Sequence, residues 1–158
     1  MAAGIEGQLA ACNCLAVRQA ARHVTQLYDQ CLAASGLRAT QFSILVRLQR
    51  GERMSINTLA KDMVMDRSTL GRNILPLERD GLIVVETAAA DRRSKEIRLT
   101  EAGGARLRTA ARGWAEAQAR FEAAFGGPRA ARLRSLLYAV VATDLQRSPP
   151  PVLRTPAS

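Results

Sequence analysis

Between Asp66 and Asn73 the chain places Ser68, Thr69, Arg72 and Asn73 at spacings that an α-helix gathers onto one side, with Arg67 in the same polar first turn. Short hydroxyls, a carboxamide and forked guanidinium groups are the chemistry that meets base edges in a DNA major groove. A helix N-terminus adds attraction for phosphate. A second cluster follows, Asp91-Arg92-Arg93, with Lys95 close behind. Arginines on a charged loop suit the phosphates of a polyanion. Either cluster alone could be a solvated surface. Their order favours DNA: a short capped helix, a tight turn near Val64-Met65, a helix with a polar first turn, then a basic hairpin.

Composition agrees. The chain has 158 residues, enough for one domain with a real core, and carries a formal net charge of +9. A basic protein of this size usually meets a polyanion. The cations are almost all arginine, the exceptions being Lys61 and Lys95. The preference fits phosphate and guanine recognition, and genomic codon bias would produce it equally well. No run approaches the roughly 20 apolar residues of a membrane span. The stretch from Met1 to Gln8 lacks a basic segment leading into an apolar one, so a cytoplasmic protein is expected. No nucleophile–base–acid set, phosphate-binding glycine loop or metal-ligand cluster stands out, so neither enzyme activity nor a cofactor or metal is expected.

These residues must be positioned by a mainly α fold with a small β-hairpin wing. Leu9, Cys12, Ala16, Ala20, Val24, Leu27 and Cys31 recur at helical steps and predict a first helix stopped at Gly36. Thr40, Ser55 and Asp66 are expected caps of the next three helices, with Gly51 and Gly81 as stops. Leu82-Ile83-Val84-Val85 and Glu96-Ile97-Arg98-Leu99 read as the strands of the wing. Thr100 should cap a long fifth helix whose seam holds Leu107, Ala111, Trp114, Phe121 and Phe125. Gly126-Gly127-Pro128 separates it from a sixth, with Leu133, Leu136, Leu137, Val140 and Val141. Pro76 should remove one hydrogen bond and kink the fourth helix beyond its polar turn. The expected organisation is a helical dimerisation region, residues 9–35 and 101–146, around a winged helix-turn-helix, residues 36–100, with a disordered tail, residues 147–158. The arms have too little chain of their own to cover them, so a homodimer is expected.

The segment from Ser55 to Gly103 resembles the MarR family of bacterial regulators. The resemblance rests on Leu59-Ala60, on Leu77-Glu78-Arg79-Asp80-Gly81-Leu82-Ile83, on Asp91-Arg92-Arg93 and on Leu99-Thr100-Glu101-Ala102-Gly103. Helix order extends it over nearly residues 9 to 146. It implies an obligate dimer on a pseudo-palindromic operator in double-stranded DNA, recognition helices in successive major grooves and wing tips in the minor groove. It also implies Arg93 entering that groove, braced by Asp91, and repression relieved by a small phenolic or aromatic acid or by cysteine oxidation. The effector pocket is implied between the first, second and fifth helices. Arg18, Arg22 and His23 could hold a carboxylate there, with Gln41, Phe42 and Trp114 lining the site; a solvated or interface-bonded face is the alternative.

The three cysteines, Cys12, Cys14 and Cys31, do not suggest a secreted disulfide framework. On one continuous helix Cys12 and Cys31 would stand about 28 Å apart, and Cys12 and Cys14 would point to nearly opposite faces. They read as small buried apolar groups, with a thiol-redox-sensing repressor as the alternative. Outside this class, the remaining alternative is a winged-helix module that binds protein, against which the charge at the wing argues.

Overall fold

The structure, a computed structural model, describes residues 9–51, 53–88 and 94–145. The elements run α1 (Asn13–Leu32), a 3-10 turn (Ala33–Ser35), α2 (Ala39–Gln49), β1 (Met54–Ser55), α3 (Ile56–Asp62), α4 (Arg67–Arg79), β2 (Ile83–Thr87), β3 (Lys95–Leu99), α5 (Glu101–Phe125) and α6 (Gly127–Ala142). Two compact units emerge, one ending at Ala119 and one beginning at Arg120, so the division falls inside α5.

In the first unit, apolar residues at helical spacing in α2, α3 and α4 meet the inner face of an antiparallel sheet ordered β1-β3-β2. Ile44, Leu45, Leu59, Leu70 and Ile97 are wholly inaccessible. Burying each such side chain contributes about 1.5–3 kcal/mol. The register sets Ile83 opposite Leu99 and Val85 opposite Ile97 on the core side, so Val84, Glu86, Glu96 and Arg98 take the other face. The expected wing strands are there, and β1 joins them by pairing Met54 with Ile97 and Ser55 with Glu96.

The expected caps at Ser55, Asp66 and Thr100 hold. Thr58 N–H reaches Ser55 Oγ at 3.0 Å, Thr69 N–H reaches Asp66 Oδ1 at 2.8 Å, and Gly103 N–H reaches Thr100 Oγ1 at 3.0 Å. Thr40 is not a cap: α2 starts at Ala39 with Arg38 in the capping position. The acceptor comes from another helix. Asp29 of α1 takes Ala39 N–H at 2.7 Å and pairs with Arg38 at 3.2 Å, while Gln41 Oε1 takes Arg38 N–H at 3.0 Å. Nor is the first helix continuous from Leu9: α1 begins at Asn13, with the Cys12 thiol accepting Leu15 N–H at 3.4 Å. Across Pro76, α4 remains helical to Arg79.

The wing exit and the start of α5 interlock. Gly81 turns the chain at φ +69°, Thr100 Oγ1 donates to Gly81 O at 2.7 Å, and Thr100 N–H bonds Leu82 O at 3.1 Å. A Cβ at Gly103 would lie 2.0 Å from Leu82 O, so only glycine permits this approach. Gly113 plays the same part against α1, where a Cβ would meet Cys31 O at 2.3 Å. The buried residues of α5 within this unit are Gly103, Gly104, Leu107, Ala110 and Ala117; Ala111 and Trp114, expected on the seam, are exposed. Arg106 fixes the α1–α2 turn by donating to Ser35 O at 3.0 Å, and Tyr28 of α1 donates to Gln118 Oε1.

In the second unit, Phe121 and Phe125 stack at 5.4 Å, and the Arg129 guanidinium lies 4.6 Å over the Phe125 ring. Gly126 reverses the chain at φ +92°, and Pro128 sits in the first turn of α6. Glu122 pairs with Arg134 at 3.8 Å. Leu136, Leu137, Tyr138, Val140 and Val141 are exposed.

Candidate nucleic-acid interface

Local chemistry fixes the N-terminus of α4. Val64, in the turn between α3 and α4, has φ +52°, a left-handed conformation unusual for a β-branched residue. Met65 N–H closes the turn onto Ala60 O at 2.9 Å. Asp66 then starts the helix, and its carboxylate gathers the first turn: Oδ1 accepts from Ser68 Oγ at 2.6 Å and Thr69 N at 2.8 Å, and Oδ2 accepts from Thr69 Oγ1 at 2.6 Å. The hydroxyl of Ser68, then the hydroxyl and backbone N–H of Thr69, hold this carboxyl well below the usual carboxylate range. It is therefore an anion at neutral pH, set among cations.

The sequence-predicted readers Arg67, Ser68, Thr69, Arg72 and Asn73 all lie on this stretch of helix, with Arg67, Ser68 and Arg72 exposed and Thr69 and Asn73 half-buried. They are not independent. Arg72 Nη2 donates to Thr69 Oγ1 at 3.1 Å, and Asn73 Nδ2 donates to Thr69 O at 2.8 Å. One N–H of Asn73 is thus committed to the backbone. Sequence reasoning treated Asp66 only as a cap; its spacing of three from Thr69 was the available sign of a larger role.

Asp91, Arg92 and Arg93 lie outside the described residues. Lys95 stands at the start of β3 and donates to Thr87 Oγ1 across the hairpin at 3.0 Å. Below it, Glu86 and Glu96 are directly opposed, a costly like-charge pair. Arg53 lies 3.6 Å from Glu86 and 3.9 Å from Glu96, and Arg98 3.2 Å from Glu86, which neutralises the pair.

Of the expected effector residues, the structure brings together Phe42 and Trp114, whose rings stack at 6.3 Å between centroids and 16° between planes. Trp114 keeps 41% of its surface. The Oε1 of Gln41 is committed to the α2 cap. Arg18, Arg22 and His23 are exposed on the first half of α1 and make no hydrogen bond or ion pair among the described residues. Cys12 and Cys31 are half-buried and Cys14 is exposed. Among the described residues no group of three or more His, Cys, Asp or Glu side chains is placed to hold a metal ion, and no helix is long and apolar enough to cross a membrane.

Comparison with known proteins gives the following. The MarR family model matches residues 37–95. No match emerged among curated proteins. Among solved structures, the M. tuberculosis transcriptional regulator MosR in complex with DNA is 39% identical, with a TM-score of 0.72 over 85% of this chain and 99% of that one. The transcriptional repressor CouR bound to a 23-mer DNA duplex is 28% identical, with a TM-score of 0.75 over 87% of this chain and 96% of that one. CouR from Rhodococcus jostii RHA1 bound to p-coumaroyl-CoA is 22% identical, with a TM-score of 0.70 over 83% of this chain and 92% of that one, a likeness of fold.

Proposed function

Because the chain belongs to the MarR family of winged-helix transcriptional regulators, we propose that it is a homodimeric, sequence-specific DNA-binding repressor released by a small aromatic or phenolic acid. The observation that carries the DNA reading is the start of α4, where Arg67, Ser68 and Arg72 are exposed and Ser68 and Thr69 hold the capping Asp66 carboxylate. Arg72 is assigned to a base edge, where a guanidinium can fork onto guanine. Ser68, Thr69 and Asn73 lie beside it, and Arg67 and Lys95 supply phosphate attraction. In the wing, Arg93 reaches the minor groove with Asp91 as its brace and Arg92 on phosphate. Two of the similar structures, MosR at 39% identity and CouR at 28%, hold DNA.

The dimer is supported by apolar side chains exposed in each unit: Leu15 and Val17 on α1, and Leu136, Tyr138 and Val141 on α6. Water contact at so many large apolar groups is costly, and a second copy would remove it. The effector reading is supported by the Phe42–Trp114 stack, which offers an aromatic wall. Arg18, Arg22 and His23 are the cations proposed to meet a carboxylate, and Gln41 retains its nitrogen as a donor. The decisive experiment enriches duplexes from a random pool with the wild-type protein, then titrates the complex with benzoate- and cinnamate-type acids. Enrichment of a pseudo-palindrome, released by one of these acids, is the expected result. Enrichment without release by any of them contradicts the effector assignment, and no enrichment contradicts the DNA reading.

A second reading, thiol-redox control, is favoured by one observation. With α1 starting at Asn13, Cys12 has an extended backbone (φ −77°, ψ 107°) and is not fixed on the helix face opposite Cys14. Peroxide that weakens DNA binding in the wild type and not in Cys12→Ser would select it.

A further inference from the structure

Residues 66, 69 and 72 are three apart, so their side chains line one edge of α4. The hydrogen bonds along that edge have a direction. Thr69 Oγ1 gives its only proton to Asp66 Oδ2 at 2.6 Å, which leaves its lone pairs to face outward and accept Arg72 Nη2 at 3.1 Å. Asp66 also takes Ser68 Oγ and Thr69 N, so the carboxylate is held by the helix it caps and cannot rotate away without losing those bonds. Arg72 is exposed and carries a long side chain with many rotamers. A flexible guanidinium loses that freedom when it meets a base edge, and one already tethered loses less.

We infer that Asp66, acting through the Thr69 hydroxyl, is a positioning residue for DNA specificity that pre-orients Arg72 for its base. The inference rests on the reading of Arg72 as a base contact. Asp66 has a second effect of opposite sign on overall affinity: as an anion on a DNA-facing helix tip it repels phosphate on every sequence alike. It therefore lowers non-specific binding while sharpening the specific contact.

A capping role alone would behave differently. A cap acts on the stability of the helix and hence on all sequences together. Asp66→Asn keeps the shape and an acceptor for Thr69 N–H, but the nitrogen replacing one carboxylate oxygen donates where an acceptor stood. The Thr69 hydroxyl can then no longer give its proton inward. Thr69→Val removes the hydroxyl and leaves the backbone cap intact. Thr69→Ser restores the hydroxyl.

The experiment measures full-length wild type, Arg72→Ala, Asp66→Asn, Thr69→Val and Thr69→Ser. Each is tested on a duplex enriched from a random pool by the wild type, on that duplex changed singly at each base pair of a half-site, and on a scrambled duplex. Thermal melting of every variant is followed in parallel. Arg72→Ala should lose about tenfold in discrimination at one base pair per half-site. Asp66→Asn and Thr69→Val should lose discrimination at that same base pair, by about threefold or more, and Thr69→Ser should recover it. Asp66→Asn should also bind the scrambled duplex at least as tightly as the wild type. If Arg72→Ala loses discrimination while Asp66→Asn and Thr69→Val keep it, the relay is refuted and Asp66 is a cap only. Arg72→Ala discriminating like the wild type overturns the base-contact assignment itself, and the inference with it.

Discussion

Val64 shows how a single residue reports the demands of the turn it occupies. Its backbone is left-handed at φ +52°, and its side chain is 71% exposed, so little packing repays the strain. Val64→Asn, with a residue that tolerates this conformation, should gain about 1 kcal/mol and raise the melting temperature by about 2–4 °C; a lower melting temperature would show that the side chain is needed. Asp66 makes a prediction in pH. A carboxyl held below its ordinary range stabilises the fold fully once pH exceeds the range where the unfolded chain titrates, about 4, and that contribution drains away as pH falls toward the folded value. Wild type should therefore be more stable than Asp66→Asn at neutral pH, with the gap narrowing below pH about 4. A gap constant through that range would remove the carboxylate from the cap. Ser55, Asp66 and Thr100 were legible as caps because each serves an amide three residues on. Thr40 misled because the acceptor at that helix start belongs to Asp29, ten residues back and across a turn, which no local pattern shows.

At the scale of elements, the strands of the wing and helices α1 to α6 were readable from periodicity, while β1, two residues long, offered no period to detect. Of the expected α5 seam, Leu107 is buried and Phe121 stacks on Phe125, while Ala111 and Trp114 are exposed; heptad spacing drew attention to large side chains and missed the close approach to Leu82 and α1 made by Gly103 and Gly113. Gly103→Ala forces a Cβ against Leu82 O and should cost about 3 kcal/mol. Gly71→Ala, where a Cβ meets nothing within 4 Å, should instead gain up to about 1 kcal/mol of helix propensity. Chemical denaturation of both variants checks the pair, and equal effects would contradict the packing described. For the wing, Arg93→Ala should weaken binding to every duplex, with extra loss on A·T-rich flanks, and reduce the slope of log affinity against log salt by about one. Arg92→Ala should lose affinity without regard to the flanks, and Asp91→Ala should do less harm than Arg93→Ala. Affinity of Arg93→Ala equal to wild type on both A·T-rich and G·C-rich flanks would take the wing out of recognition.

For the whole molecule, charge and exposed apolar surface point to two partners. The net charge of +9 suits DNA, and the uncovered apolar groups of α1 and α6 suit a second copy. Sedimentation at micromolar concentration should give twice the 17.1 kDa chain mass, and Leu137→Glu with Val141→Glu should shift it toward the single chain. A wild-type chain that sediments alone would refute the dimer. The most direct test of the account is the ratio of affinities for an enriched duplex and a scrambled duplex of the same composition, measured at about 0.15 M salt and again at lower salt. Sequence reading by α4 predicts a ratio of at least about 10³ at the higher salt, with both affinities falling steeply as salt rises. Equal affinity for the two duplexes would contradict it, whatever the salt dependence.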